Sequence, residues 1–254
     1  MPFCETFSRR YDDDGFTFHI ESRVAYTECG PDGTLSLFDF LRKTTDISSE
    51  DIFHRGTSMP FLVEHGFARV LARSAFRFHR MPKINERVEW VTTEWKAESW
   101  QFVRDYKVKS ESGELLVSGL SKWLLTDFRT RKILPVKAIL PFRKLNTVPF
   151  DSDGLSCGKI LVPDALEKIG EERIMRSHLD GNNHTDNAFY GAFIVNSLPA
   201  ELAERPLIEF RINYSKELLL GETVEIYLAK TGENRHVVVG KKKGEVAFAS
   251  ELVL

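Results

Sequence analysis

Four side chains in the second half of the chain are of types that move protons or hold a carbonyl oxygen: Asp180, Asn182, His184 and Glu217. The first three alternate within HLDGNNHTDNAFYGAF (178–193), where a polar turn gives way to an apolar run. Glu217 closes the segment YSKE (214–217). Hydrolysis of an activated acyl group needs a placed water, a base to take its proton, and donors for the developing oxyanion. Either Glu217 or His184 can be the base. Asn182 can donate its amide to a carbonyl oxygen or hold the water, and Asp180 can orient a neighbouring amide or imidazole. Unpaired backbone N–H groups near Asn187, at the start of the apolar run, would add further donors. Each residue also has a plainer reading. Asp and Asn before a helix are common turn formers and caps, and Asn187 reads as a cap in its own right. A single His is more often structural, and a strand Glu more often faces solvent. His178, Asp180 and His184 fit no strong zinc spacing, so neither metal nor cofactor is expected.

The elements that must carry these residues are legible from periodicity. GETVEIYLAK (221–230) places Val224, Ile226 and Leu228 on one face and Glu225 and Tyr227 on the other. ERVEWVTTEW (86–95) and QFVRDYKVKS (101–110) also alternate, with Arg104 read as the polar counterpart of Phe102. The segments SESGE, KTGENR and KKKGE have the Gly and charge of exposed hairpin ends. NAFYGAFIVNSL (187–198) is apolar nearly all round, as befits an enclosed helix, and Gly191 and Ala192 would let a sheet approach closely. LSLFDFL (35–41) is a less uniform counterpart.

These elements repeat. RVAYTECGPDGTLSLFDFLRKT begins at Arg23 and RIMRSHLDGNNHTDNAFYGAFIVN at Arg173, an offset of 150. NERVEW at Asn85 parallels GETVEI at Gly221, an offset of 136, and SGELLVSG at Ser112 parallels KGEVAFAS at Lys243, an offset of 131. The order of each copy is strand, polar turn, apolar helix, strands. The chain is therefore read as α+β: a tandem double hot-dog, each copy a curved antiparallel sheet wrapped around a central helix. The Pro-, Asp-, Ser- and Gly-rich stretch supplies a linker over 144–163, with domains at 1–143 and 164–254. The alternative is one large α+β domain without a repeat. In the first copy, Gly30, Asp32 and Thr34 stand opposite Asp180, Asn182 and His184, and Met81 stands opposite Glu217. Apart from a possible carboxylate at Asp32, the first copy lacks the reactive groups, so it is assigned the shaping of an acyl tunnel, with Leu35, Leu37, Phe38, Met59, Phe61 and Leu62 as candidate lining.

On these residues the sequence resembles the acyl-acyl carrier protein thioesterases, the plant-type family also found in bacteria, from about Phe16 to Leu254. The family's Asp-x-Asn-x-His signature, followed by Asn and an aromatic, is met by Asp180, Asn182, His184, Asn187 and Tyr190. Its downstream Tyr-x-basic-Glu is met by Tyr214, Lys216 and Glu217. Leu218 stands where the plant enzymes have a cysteine, which removes a thiol from the expected mechanism. The resemblance implies hydrolysis of acyl carrier protein thioesters to free fatty acids, with acyl carrier protein as partner. An acyl-coenzyme A thioesterase of the same fold is the first alternative, and a non-catalytic acyl-binding protein the second.

Composition is ordinary for a globular protein. The chain has 254 residues, 28% of them charged, and a net charge of −2, so no nucleic-acid footprint is expected. Cys4, Cys29 and Cys157 are too scattered for a disulfide framework. No apolar run suits a signal peptide or a membrane span, so the expected location is cytoplasmic. Whether the pseudo-dimer pairs again as a homodimer is left open. GKKKGE (240–245) and RTRK (129–132) could touch an acidic carrier, although exposed turns explain them as well. Trp90, Trp95, Trp100 and Trp123 read as sheet packing, since no basic stripe accompanies them.

Overall fold

The computed structural model describes residues 6–152 and 154–254; Cys4 lies outside the described residues. After an edge strand β1 (Thr6–Tyr11), the first half runs β2 (Thr17–Arg23), α1 (Leu37–His54), α2 (Met59–Glu64), β3 (Phe67–Phe78), β4 (Arg87–Glu94), β5 (Gln101–Ser110), β6 (Leu115–Asp127) and a short β7 (Ile133–Leu134). The second half runs β8 (Glu167–Arg173), α3 (Asn187–Ser197), α4 (Ala200–Ala203), β9 (Glu209–Tyr214), β10 (Thr223–Lys230), β11 (Arg235–Lys242) and β12 (Glu245–Val253). Within the halves the strand orders are β2-β4-β5-β6-β3 and β8-β10-β11-β12-β9, the same topology twice. β3 and β9 pair antiparallel, Ser74 opposite Ile212, and fuse the two into one twelve-stranded sheet. This is a tandem double hot-dog.

The repeat extends to individual hydrogen bonds. Gly30 N–H donates to the Thr34 carbonyl, and Asp180 N–H to that of His184, at 2.8 Å each. Leu35 N–H donates to Pro82 O at 2.8 Å and Thr185 N–H to Leu218 O at 3.0 Å, which unites the 150 and 136 offsets. The turns need a left-handed residue at the same place: Gly33 has φ +74° and Asn183 +61°.

The two helices pack on each other beneath the sheet. Gly191 faces Leu37 and Leu41 of α1, so its missing side chain admits the other helix, not the sheet. Phe38 and Phe189 meet at 4.6 Å between centroids. Helix α1 runs well past Leu41, where the sequence reading stopped. Its inward stripe is Phe40, Leu41, Thr44, Ile47, Ser48, Asp51 and Ile52, a helical spacing hidden by its polar members. One of these, Asp51, explains a second correction. Arg104 lies on the same face of β5 as Phe102 and Tyr106, entirely buried, because it pairs with Asp51 and Glu94. The tryptophans divide: Trp90 and Trp123 are buried in the sheet's packing, whereas Trp100 is exposed.

Residues 144–163 contribute no helix or strand among the described residues. They lie along the sheet's other face, where Leu155 and Cys157 cover Ala75 and Leu120, and Ile160 covers Val237, Val239 and Ala249. One core position sets a sharp steric limit. A Cβ on Gly240 would stand 2.0 Å from the ring of the fully buried Phe248. Gly240→Ala should therefore cost about 1–3 kcal/mol, as overpacking does, read as a lower denaturant midpoint at unchanged slope.

Candidate active site

The turn that precedes α3 is organised by Asp180. One of its oxygens, Oδ1, accepts the N–H of Asn182 at 2.8 Å and of His184 at 3.1 Å, and Oδ2 accepts the Asn182 amide at 3.3 Å. In the first half Asp32 takes a similar part, accepting the Thr34 N–H at 3.0 Å and its hydroxyl at 2.7 Å. A carboxylate in this turn thus has a structural task in both halves. What distinguishes the second half is His184 in place of Thr34.

Glu217 is brought to His184 by the backbone. Thr185 donates both its N–H, at 3.0 Å, and its hydroxyl, at 2.8 Å, to Leu218 O. Lys242 Nζ donates to Glu217 O at 2.7 Å. His184 Nε2 then lies 3.4 Å from Glu217 Oε2. Asp180, Asn182 and His184 share one turn, and His184 and Glu217 share one contact. The Asn182 side chain is exposed, and its amide is directed to Asp180.

Two expectations are corrected here. Asn187 is not the cap of α3. Asp186 is, its Oδ1 accepting Ala188 N–H at 2.7 Å, as Ser36 caps α1 at the matching place. Asp186 also accepts Phe189 N–H through its carbonyl, so these two N–H groups are engaged and do not stand free for an oxyanion. The Glu217 side chain is 45% exposed.

Sequence reasoning missed the fifth polar group, Arg131. It lies in the β6–β7 turn of the first half, yet Nη1 donates to Glu217 Oε1 at 2.8 Å and Nη2 is 3.2 Å from His184 Nε2. Asp127 shapes that turn by accepting the N–H groups of Arg129 and Thr130, and Arg131 adopts φ +59°. The available signal is RTRK, which the sequence offers as a contact for an acidic carrier or an exposed turn. His184 Nε2 can accept from Arg131 or donate to Glu217, but one proton position serves only one of these. The cluster can therefore hold either tautomer of the imidazole, through Arg131 or through Glu217.

Other groups support the frame. Burial pushes the Asp186 carboxyl upward, reinforced by Asp180 nearby. Burial likewise raises the Tyr190 and Tyr214 phenols, keeping both neutral. Tyr214 donates to Asn187 O at 3.3 Å and packs against the cluster of Leu62, Leu71 and Trp123, which links the site to the first half. Lys216 pairs with Glu245, not with the site. Of the candidate tunnel residues, Leu35 and Leu37 are in the main core, and Phe38 packs on it. Met59 and Leu62 line a 250 Å³ cavity between α1, α2 and the sheet. Phe61 stacks on His65 at 4.0 Å.

Residues 15–139 match the family model described as the acyl-ACP thioesterase N-terminal domain, and residues 165–248 match that of the C-terminal domain. Among curated proteins, the chain is 24% identical over 224 residues to the chloroplastic acyl-[acyl-carrier-protein] hydrolase FATB2 of Cuphea viscosissima, covering 82% of this chain and 54% of that protein. It is 25% identical over 225 residues to FATB3 of the same plant, covering 80% and 52%. The chain thus spans about half the length of these relatives. Among solved structures, an acyl-ACP thioesterase from Bacteroides thetaiotaomicron superposes with a TM-score of 0.85 at 19% identity, covering 93% of this chain and 97% of that one. The 12:0-ACP thioesterase of Umbellularia californica gives 0.80 at 18%, covering 93% and 96%. At these identities the structural likeness speaks for the fold.

Proposed function

Since the chain belongs to the acyl-ACP thioesterase family, whose two domain models cover most of it, we propose that it hydrolyses acyl-acyl carrier protein thioesters and releases free fatty acids. The observation that carries this reading is the pairing of His184 Nε2 with Glu217 Oε2 at 3.4 Å. The counterparts in the first half, Thr34 and Met81, offer neither group. Glu217 takes a proton from water, and the water oxygen bonds to the thioester carbon. Asn182 and His184 position water and carbonyl, and Asp180 holds the turn. The carbon–sulfur bond then breaks, and the proton goes to the departing thiolate.

The first half supplies the acyl-binding surface, with Met59 and Leu62 the tunnel candidates that reach a cavity. We assign domains to 1–143 and 164–254 on the repeat. Lys242 touches the Glu217 backbone and leads into the exposed turn Lys243–Gly244, a basic edge that suits an acidic carrier. No described helix is long and apolar enough to cross a membrane. A cytoplasmic location remains part of the proposal. The test is product release from acyl carrier protein and coenzyme A thioesters of graded chain length. Faster turnover of carrier thioesters supports the reading, and preference for coenzyme A esters moves the assignment to the alternative enzyme.

Neither described cysteine takes part in this chemistry. Leu218 is fully buried beside Glu217. Burial pushes the Cys157 thiol up to about 12, and its Sγ donates to Leu120 O at 3.0 Å. Burial and the charge of Glu28 also raise Cys29. Both thiols are therefore poor nucleophiles. Turnover should survive alkylation with iodoacetamide. Activity lost in step with modification of Cys29 or Cys157, without unfolding, would refute this.

A further inference from the structure

Beneath the C-terminal half of α1 the protein buries four guanidinium groups around two carboxylates. Asp51 accepts from Arg55 and Arg104, and Glu94 from Arg69, Arg104 and Arg143. Tyr11 spends its hydroxyl on Asp51 as well. Asp14 feels Arg55, but its carboxylate is engaged by the N–H groups of Phe16 and Thr17 and by the Thr17 hydroxyl. Two positive charges thus have no counterpart in this cluster. The deficit is visible atom by atom. Arg55 Nη1, Arg69 Nε and Nη1, Arg104 Nε and Arg143 Nη1 are buried without a hydrogen-bond partner. Buried cations in this condition are strongly unfavourable, and native proteins avoid unmet donors.

Arg69 is the member of this cluster that lines a cavity. Its side chain is 6% exposed, and the guanidinium carbon lies 4.6 Å from the Phe102 ring centre and 5.4 Å from that of Trp123. The 250 Å³ cavity has Ile52, Met59, Leu62 and Trp123 as apolar wall, with Ser58 and Arg69 among its polar groups. Burial, opposed by Glu94 and reinforced by Arg143 and Arg104, draws Arg69 down to about 9, as expected of a cation short of anions. A cavity of about 150 Å³ already accepts a six-carbon ring, so this one has room for a short aliphatic chain and a head group.

We propose that this cavity is a receptor for an aliphatic carboxylate, its chain against the apolar wall and its anionic head on Arg69. The carboxylate offsets one of the two surplus charges and meets the open donors of Arg69 together, which an uncharged chain cannot do. It has two sources: a free short-chain acid, or the far end of an acyl chain whose thioester lies at His184 and Glu217. The second source rests on the thioesterase reading; the receptor itself does not.

The experiment is calorimetric titration of the intact protein with hexanoate and with hexanol, following tryptophan fluorescence in parallel. Hexanoate should bind at least about tenfold more tightly, the equivalent of one charge-assisted hydrogen bond. Arg69→Met should remove that preference. Met59→Trp, which fills the cavity and leaves Arg69 in place, should abolish hexanoate binding even if Arg69→Met fails to fold. Equal binding of hexanol, no binding of hexanoate, or hexanoate binding unaffected by Met59→Trp would overturn the proposal. Turnover of the mono-thioester of adipic acid against that of hexanoic acid identifies the source. Preference for the adipic thioester assigns the carboxylate to the acyl chain, and its absence assigns it to the free acid. Failure of both thioesters to turn over, with hexanoate still bound, would count against the thioesterase reading and not against the receptor.

Discussion

Glu217→Gln should lower turnover of an acyl carrier protein thioester by about 10²–10⁴, the usual worth of a general base, with folding and acyl binding retained. The substitution keeps the shape and a carbonyl oxygen able to accept from Arg131, and removes only the basicity. Folding should be indifferent to it. The Glu217 side chain is 45% exposed, and its segment is held through main-chain atoms, by Lys242 on Glu217 O and by Thr185 on Leu218 O. Exposure also bears on mechanism. In the free protein this carboxylate is open to water and tied to Arg131 at 2.8 Å, so bound substrate has to shut bulk water out of the site before the chemical step. His184→Ala should also impair turnover, but less, because it removes positioning and not the base. Both variants should be measured by single-turnover kinetics, so that product release does not mask the chemical step. Near wild-type chemistry in Glu217→Gln would remove Glu217 from its role. A deeper loss in His184→Ala than in Glu217→Gln would make the imidazole the base, with Glu217 as its orienting partner.

Much of this architecture is written locally, and therefore legible. The turn before each helix demands a left-handed residue, which the sequence meets with Gly33 and Asn183. Strand alternation around Val224 and Ile226 follows from burial of one face. The offsets of 150 and 136 hold because the same main-chain bonds close both turns. What stayed hidden depends on contacts between distant segments. Arg104 looked like a solvent-facing strand residue because its partner Asp51 comes from a helix whose polar inward stripe obscured its length. Capping by Asp186 and by Asn187 was equally permitted by residue type, and only the backbone geometry chose. For Arg131 the local signal, a charged turn, did not point to the site. Its place beside Glu217 requires a left-handed turn in one half and the docking of that half on the other.

That docking leads to the second large effect. The segment from Asp164 to Leu254, produced alone, should be insoluble or inactive although it carries Asp180, Asn182, His184 and Glu217. Three losses coincide. Strand β9 would lose β3, with Ser74, Ala75 and Phe76 no longer opposite Ile212, Arg211 and Phe210, and would become an open sheet edge. Helix α3 would lose α1. Gly191 fits against Leu37 and Leu41, and Phe189 against Phe38, so an apolar helix face would enter water. The site would lose Arg131, and with it the contact that holds Glu217 Oε1. The first two losses act on folding and the third on chemistry, and they separate experimentally. Size-exclusion chromatography and circular dichroism should show an aggregated or unfolded fragment. Arg131→Ala in the full chain should fold normally, since that side chain is half exposed, and should alter turnover alone. A monomeric, active fragment would show that the second half is self-sufficient and that neither the β3–β9 seam nor the paired helices are required.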